Sequence, residues 1–350
     1  MEGILKFANG KRYTGHWHGD IGEYTGDVIF YTGMGNFLEF MTDPAIKGKI
    51  VIVTYPGVLH SSFDLSNFES EDLQLAALVT QQELLKTSIT TQKWMSLFKE
   101  QSIPVLTGTD TRAMVKDLLN NGEMSATIYA DYEEVSKTII KKTILGRSGK
   151  EVINPNSEKH LVVLDFGIKK SLISWLRCLD YKLTIISGET NFSEINKLEP
   201  DGLVFSGGSG NPTVWNKYLK DYKELATKFP TIGFGLGHQI LALSFGAKVD
   251  KMKWGHRNFR QPIIHIETKK IYSSNQNHGY SVSNKELELT GFKPSFLSIQ
   301  DGSIEGLTHE KYPINTYQFH PDGRNLKLEA LMKSAYFQQL EQSKGVKMYA

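Results

Sequence analysis

Gly233-Phe234-Gly235-Leu236-Gly237-His238-Gln239 is the stretch whose reading decides the fold. An apolar run over residues 231–234 reads as a strand, a helical pattern opens near His238, and glycines fill the turn between them. This is the layout of a nucleophile elbow, where a reactive side chain sits on a sharp strand-to-helix turn. With cysteine at its centre, G-x-C-x-G-H-Q would hold a thiol beside a helix N-terminus, whose partial positive charge favours thiolate. The central residue here is Gly235. The mount for a nucleophile is present and the nucleophile is not.

Working outward, the flanking sequence alternates. Residues 160–166, 182–187, 202–206 and 231–234 are strand-like, and residues 169–179, 192–198, 215–228 and 238–245 are helical. Strands separated by helices of this length predict a parallel, doubly wound sheet with right-handed crossovers. Ligands of such sheets sit beyond the carboxyl ends of the strands. Three glycine-rich turns fall there: Asp165-Phe166-Gly167, Ser206-Gly207-Gly208-Ser209-Gly210-Asn211-Pro212, and the elbow. Shorter strand-like runs follow at 263–266, 271–273 and 316–319, then a final helix over about 326–342.

The N-terminal half reads differently. Residues 4–7, 11–15, 26–31 and 49–54 are strand-like, with Asn9-Gly10 a strong hairpin signal between the first two. From Leu73 the pattern turns helical: Leu75, Ala76, Leu78 and Val79, then 94–99 and 114–119, with a short strand near 105–108. Residues 143–159, rich in Gly, Ser, Asn and Pro, read as a linker. The expected organisation is a mixed α+β domain over 1–142, the linker over 143–159, and an α/β domain over 160–345.

A chain of 350 residues has room for two such cores. With 40% hydrophobic residues, 22% charged residues and a net charge of +2, no basic block suggests nucleic acid or a membrane surface. Residues 1–7 lack the charged-then-apolar order of a signal peptide, and no run approaches the ~20 apolar residues of a transmembrane helix. A cytoplasmic protein is expected. The single cysteine, Cys178, excludes an internal disulfide and reads as a packed thiol on an amphipathic helix.

Among groups able to do chemistry, His320-Pro321-Asp322 comes next. On an extended segment residues i and i+2 share a side, so the carboxylate is placed to orient the imidazole as a general base. The plain alternative is a surface turn punctuated by proline; a preceding strand and an elbow elsewhere favour the dyad. The glycine-rich turn after Ser206 offers backbone N–H groups to a substrate. Asn275-Gln276-Asn277-His278-Gly279-Tyr280 reads as a polar loop whose amides suit an amide-bearing substrate. His16-Trp17-His18 has no third ligand nearby, and no metal site is expected.

Taken together, these motifs resemble one family over essentially the whole chain, the glutamine-hydrolysing small subunit of carbamoyl-phosphate synthase. The N-terminal half contributes Phe30-Tyr31-Thr32-Gly33-Met34, Thr42-Asp43-Pro44, Thr54-Tyr55-Pro56 and Asp110-Thr111-Arg112. The second half contributes Asp165 to Lys169, Gly237-His238-Gln239, Lys253-Trp254-Gly255-His256-Arg257, Gln276-Asn277-His278-Gly279 and Gln318-Phe319-His320-Pro321. The resemblance implies a small-subunit N-terminal domain followed by a flavodoxin-like class I glutamine amidotransferase domain. It implies a cysteine nucleophile at the position of Gly235, with His320 as base and Asp322 as its orienting acid. Glutamine-contacting positions would be Gly208, Gly210, Leu236, Gln239, Asn277, Gly279 and Tyr280. The implied partner is a large subunit that holds ATP and a divalent metal and makes carbamoyl phosphate for arginine and pyrimidine synthesis. No cofactor is expected in this chain.

The departures gather where glutamine would react. Gly235 stands for the family's Cys, Asp322 for Glu, Ala45 for a Ser that contacts glutamine, and Gly207 and Ser209 for Asn and Pro of the glycine-rich turn. Arg260 and Gln261 stand for Asn and His, and the Ser-Pro-Gly-Pro stretch after the family's His-Pro-Glu is missing. One engineered Cys→Gly change would not explain the other positions, so natural divergence is the better reading. The expectation is a small subunit whose glutaminase is lost and whose glutamine binding is in doubt. The alternative is a non-catalytic regulatory or ligand-binding protein derived from it.

Overall fold

The hairpin expected at Asn9-Gly10 is there: Gly10 takes φ +87°, and strands β1 (Glu2–Phe7) and β2 (Arg12–His18) pair antiparallel across it. The computed structural model describes residues 1–55, 57–60, 63–82, 89–131 and 149–347. Pro56 and residues 143–148 of the expected linker lie outside them. The chain divides into two units, Met1–Ile144 with Met252–Trp254, and Leu145–Lys251 with Gly255–Ala350.

In the first unit β1 and β2 join β3 (Glu23–Tyr31), β4 (Ile50–Val53), β5 (Ala77–Thr80), β6 (Val105–Thr107) and β7 (Ser125–Ala130). They close into a barrel of order β1-β2-β6-β5-β4-β3-β7. Helices α1 (Phe37–Met41), α2 (Ile89–Glu100) and α3 (Thr111–Asn121) accompany it. Alternate strand residues such as Leu5, Val28, Ile50, Ile52, Val79 and Ile128 share one buried cluster with Met114 and Leu118 of α3. The helix expected near Leu75–Val79 is instead strand β5. It lies parallel between β4 and β6 with every residue buried, and a run covered on both faces shows neither helical nor strand periodicity.

The second unit is built on a ten-stranded sheet. Its parallel centre comprises β9 (His160–Phe166), β10 (Lys182–Ser187), β11 (Gly202–Gly208), β12 (Thr231–Phe234) and β17 (Ile314–Tyr317), in the order β17-β12-β11-β9-β10. One edge carries β8 (Glu151–Ile153), a strand within the stretch expected to be linker. The other carries β13 (Val249–His265), β14 (Ile271–Val282), β15 (Phe292–Ser298) and β16 (Ile304–His309), all antiparallel. The two short strands expected at 263–266 and 271–273 are the facing ends of the long pair β13–β14, whose polar residues hide it from a hydrophobicity reading.

Helices cover both faces, as the α/β alternation predicts. Val162, Leu164 and Phe166 of β9 pack with Ile195 of α5 (Phe192–Asn196), Tyr222 and Leu225 of α6 (Leu219–Lys228) and Leu241 of α7 (Leu236–Ser244). Leu161 and Val163 face the opposite cluster. There α4 (Lys170–Arg177) contributes Leu172, Trp175 and Leu176, and α8 (Leu326–Lys347) contributes Leu328, Met332 and Tyr336. Cys178 is exposed rather than packed: α4 ends at Arg177, and its cap residue falls off the 172-175-176 stripe. Among the described residues no helix is long and apolar enough to cross a membrane.

Candidate active site

The elbow forms where the sequence puts it, between β12 and α7. Gly235 takes φ +51° and ψ −112°, a backbone conformation that side chains rarely tolerate, and its N–H donates to the Tyr317 carbonyl at 2.9 Å. A Cβ placed on Gly235 would lie 2.6 Å from Cε1 and 3.2 Å from Nε2 of His320. One placed on Gly207, at the end of β11, would lie 2.2 Å from the same Nε2. The imidazole therefore sits where side chains at both positions would begin. The fold brings the nucleophile position and the predicted base together, and the tip of the His320 ring would have to shift to admit a side chain at either glycine.

His320 follows β17 and is anchored by its N–H to the Asn275 carbonyl at 3.3 Å. Its ring stacks on Phe234 at a centroid distance of 6.2 Å. The Nε2 atom is shut off from solvent with no hydrogen-bond partner. Burial, helped by the nearby Lys169 ammonium, pushes the imidazole well below its usual pKa, so the ring is neutral at pH 7.

Asp322 does not play the part the i, i+2 spacing suggests. Its carboxylate pairs with the Arg324 guanidinium at 2.6 Å and accepts the Arg324 N–H at 3.1 Å. Among the described residues no hydrogen bond joins it to His320. Glu329 on α8 holds the turn by accepting the Asp322 and Gly323 N–H groups, and this draws the carboxylate towards Arg324. Among the described residues no hydrogen bond joins a carboxylate to the His320 ring.

The predicted glutamine-contacting residues gather around α7, and several are engaged internally. The Gln239 amide donates to the Tyr280 carbonyl and to Gln318 Oε1, both at 2.9 Å. Asn277 accepts from Arg257 at 2.9 Å, and Leu236 is packed into the core. Gly208 passes so close to Phe166 that a Cβ would meet its carbonyl oxygen at 2.1 Å, and Gly210 needs φ +93°. Asn277, Gly279 and Tyr280 lie on β14, not in the polar loop expected from their composition, because β13 pairs along them. Ser206 offers no substitute nucleophile: its hydroxyl donates to the Gly207 carbonyl and accepts the Phe166 N–H, both at 2.9 Å. Ala45 belongs to the first unit, on the 3-10 turn Pro44–Ile46, where its N–H donates to Asp43.

Two features escaped the sequence reading. Arg324 carries no motif that marks it as the partner of Asp322. His256, His278 and Glu305 meet in a buried cluster, yet lie on three different strands. His256 and His278 were visible only as members of longer motifs, and a lone Glu305 gives no signal at all.

Two family models match the chain in turn: the carbamoyl-phosphate synthase small chain, CPSase domain, over residues 5–128, and glutamine amidotransferase class-I over 162–333. The arginine-specific small chain of carbamoyl phosphate synthase from Halalkalibacterium halodurans is 36% identical over 330 residues, covering 92% of each chain. The chain belongs to the carbamoyl-phosphate synthase small-chain family. The arginine-specific small chain of Bacillus subtilis is 34% identical, again over 92% of both chains. The small chain of Saccharolobus solfataricus is 34% identical, over 92% of this chain and 93% of its own. The fold is thus a small-chain domain followed by a class I amidotransferase domain, as the motifs imply. Within that family frame, the elbow residue of this small chain is a glycine under an imidazole.

Proposed function

We propose that this small chain no longer hydrolyses glutamine and serves a large synthetase subunit that draws on free ammonia. The observation that carries the reading is the His320 ring, lying 2.6 Å from where a Gly235 Cβ would be. Loss of the nucleophile from a hydrolytic triad costs on the order of a millionfold in turnover, because the members act as a unit. The remaining base is neutral, has no alcohol or thiol to deprotonate, and lacks its acid. Family membership over both domains supports a retained large-subunit partner, and the names of two relatives favour arginine over pyrimidine synthesis. Co-expression with a large subunit, followed by assay of carbamoyl phosphate, tests this. Synthesis is expected with ammonium and not with glutamine; robust glutamine-driven synthesis would sink the proposal.

One observation favours a second reading, a ligand-binding derivative without a large subunit. A cavity of about 300 Å³ lies beside His320, lined by Arg260, Ser273, Asn275, Asp322, Arg324 and Glu329 among others. The Nδ2 of Asn275 is buried without a partner. Failure to co-purify with any large subunit, together with saturable calorimetric binding of an amino acid or its amide, would select this reading.

A further inference from the structure

Away from the elbow, four side chains turn acceptor atoms towards one another in a closed space. His256 on β13 and His278 on β14 are direct cross-strand partners; Gln276 lies two residues before His278 on the same face, and Glu305 comes from β16. All four are buried, Glu305 completely.

Their surroundings fix which atoms face inward. His278 Nδ1 lies 2.9 Å from the Tyr280 carbonyl, which only accepts, so Nδ1 carries the hydrogen and Nε2 keeps a lone pair. His256 Nε2 lies 3.1 Å from the Asp301 carboxylate and donates to it, so in the neutral ring Nδ1 turns its lone pair inward. The Ser274 hydroxyl gives its hydrogen to the Gln261 carbonyl and so accepts from the Gln276 amide nitrogen. Oε1 of Gln276 is thereby turned inward. Glu305 adds a carboxylate whose Oε1 shares the Ser303 hydroxyl with Asp301, at 3.0 and 2.8 Å, and whose Oε2 has no hydrogen-bond partner.

With His256 neutral and Glu305 ionised, four electron-rich atoms are packed together with no hydrogen between them; the alternative occupant of the space is a proton, which, against the cost of burial, the Glu305 and Asp301 carboxylates favour on His256. Gln276 Oε1 is 2.9 Å from His256 Nδ1 and 3.1 Å from His278 Nε2. Glu305 Oε1 is 3.2 Å from His256 Nδ1 and 3.9 Å from His278 Nε2. Four donors at ~2.05 Å around a tetrahedral ion stand about 3.3 Å apart; three of the separations here are 2.9, 3.1 and 3.2 Å and a fourth is 3.9 Å. Buried acceptors in mutual contact are strongly unfavourable unless a positive charge sits among them.

We propose that His256, His278, Glu305 and Gln276 form a structural binding site for a zinc-type divalent cation. Two imidazole nitrogens with two oxygens suit zinc or cobalt better than magnesium or calcium, which prefer all-oxygen shells. The second layer has the form such sites take: one histidine is held by a carboxylate, Asp301, and the other by a backbone carbonyl. All four ligands come from protein and are closed off from solvent, so the site ties β13, β14 and β16 together and holds no position for substrate. It stands against the sequence-based expectation of no metal.

The test uses the full chain purified through a histidine-free tag without chelator, then stripped of metal. Zinc chloride at a hundredfold excess over its dissociation constant should raise Tm by roughly 5–10 °C. Cobalt chloride should give the intense visible bands of tetrahedral coordination, at one ion per chain. Asp301→Asn, half-exposed and outside the ligand set, should fold and lose about 10- to 100-fold in cobalt affinity. Glu305→Gln should lose more. The proposal is overturned if the stripped wild-type chain neither binds cobalt nor gains Tm with zinc, in which case a proton holds the cluster. It is overturned equally if uptake is the same in Asp301→Asn and Glu305→Gln as in wild type.

Discussion

Glycine at 235 and at 207 is as much a packing choice as a chemical loss, because the His320 ring occupies the ground a side chain at either position would use. Gly235→Cys alone should therefore not restore glutaminase. It should also destabilise the chain by ~1–3 kcal/mol, since φ +51° suits glycine and the ring must be displaced. Urea unfolding and a glutamate-release assay check both halves. Adding His320→Ala should remove the steric part, appearing as a coupling of ~0.5–3 kcal/mol in a double-mutant cycle. The absent thiol was legible from the sequence, because an elbow is a local pattern. The collision was not, since Gly207 comes from β11 and His320 from the segment after β17. Asp322 shows the limit from the other side: spacing permits it to face His320, and Arg324 with Glu329 decides otherwise.

Burial keeps several histidines of the second unit neutral, His320, His238 and His278 among them. It pushes His320 well below its usual pKa and His238 down to about 3. The unfolded chain binds protons at these positions near pH 6.5 while the folded chain does not. Their contribution to stability is therefore complete above pH ~6.5 and is lost as pH falls towards the folded values, at up to ~1.4 kcal/mol per pH unit for each ring. Urea midpoints measured between pH 7.5 and 5 should fall, and His320→Gln should flatten that slope relative to wild type.

At the scale of elements, the sequence resolved the parallel centre of the sheet and blurred its antiparallel flank. β9 to β12 are apolar runs set off by helices with clear stripes, so the period of each piece declares its type. β13 and β14 are long, polar and half-exposed, and their strand character comes from pairing with each other. β5 failed in the opposite way, buried on both faces and too short to show any period. The β11 end depends on one hydroxyl: Ser206 Oγ accepts the Phe166 N–H where the β11–β9 register shifts between Phe205 and Gly208. Ser206→Ala should cost ~1–3 kcal/mol in thermal or urea unfolding by leaving that buried N–H unpaired. Cys178, at the exposed end of α4, should react with a disulfide reagent at one equivalent per native chain without denaturant.

For the whole molecule, the two family models and the relatives' near-full coverage show that the small-chain scaffold extends over both domains. A stable complex with a large subunit should then form with unaltered stoichiometry, measured by size-exclusion chromatography with light scattering. Glutamine, if it binds at all, should leave that complex's ammonium-driven rate unchanged. The three-residue meeting of ring and two glycines also ties these positions to one another. With the ring settled, a mutation that returns a side chain at 235 or at 207 meets an occupied space and brings no activity to offset the strain. A mutation that first moves the ring leaves a hole and still no nucleophile. Each single change at 235, 207 or 320 is therefore expected to strain or loosen this packing without completing a nucleophile–base pair, and only combined changes would do both.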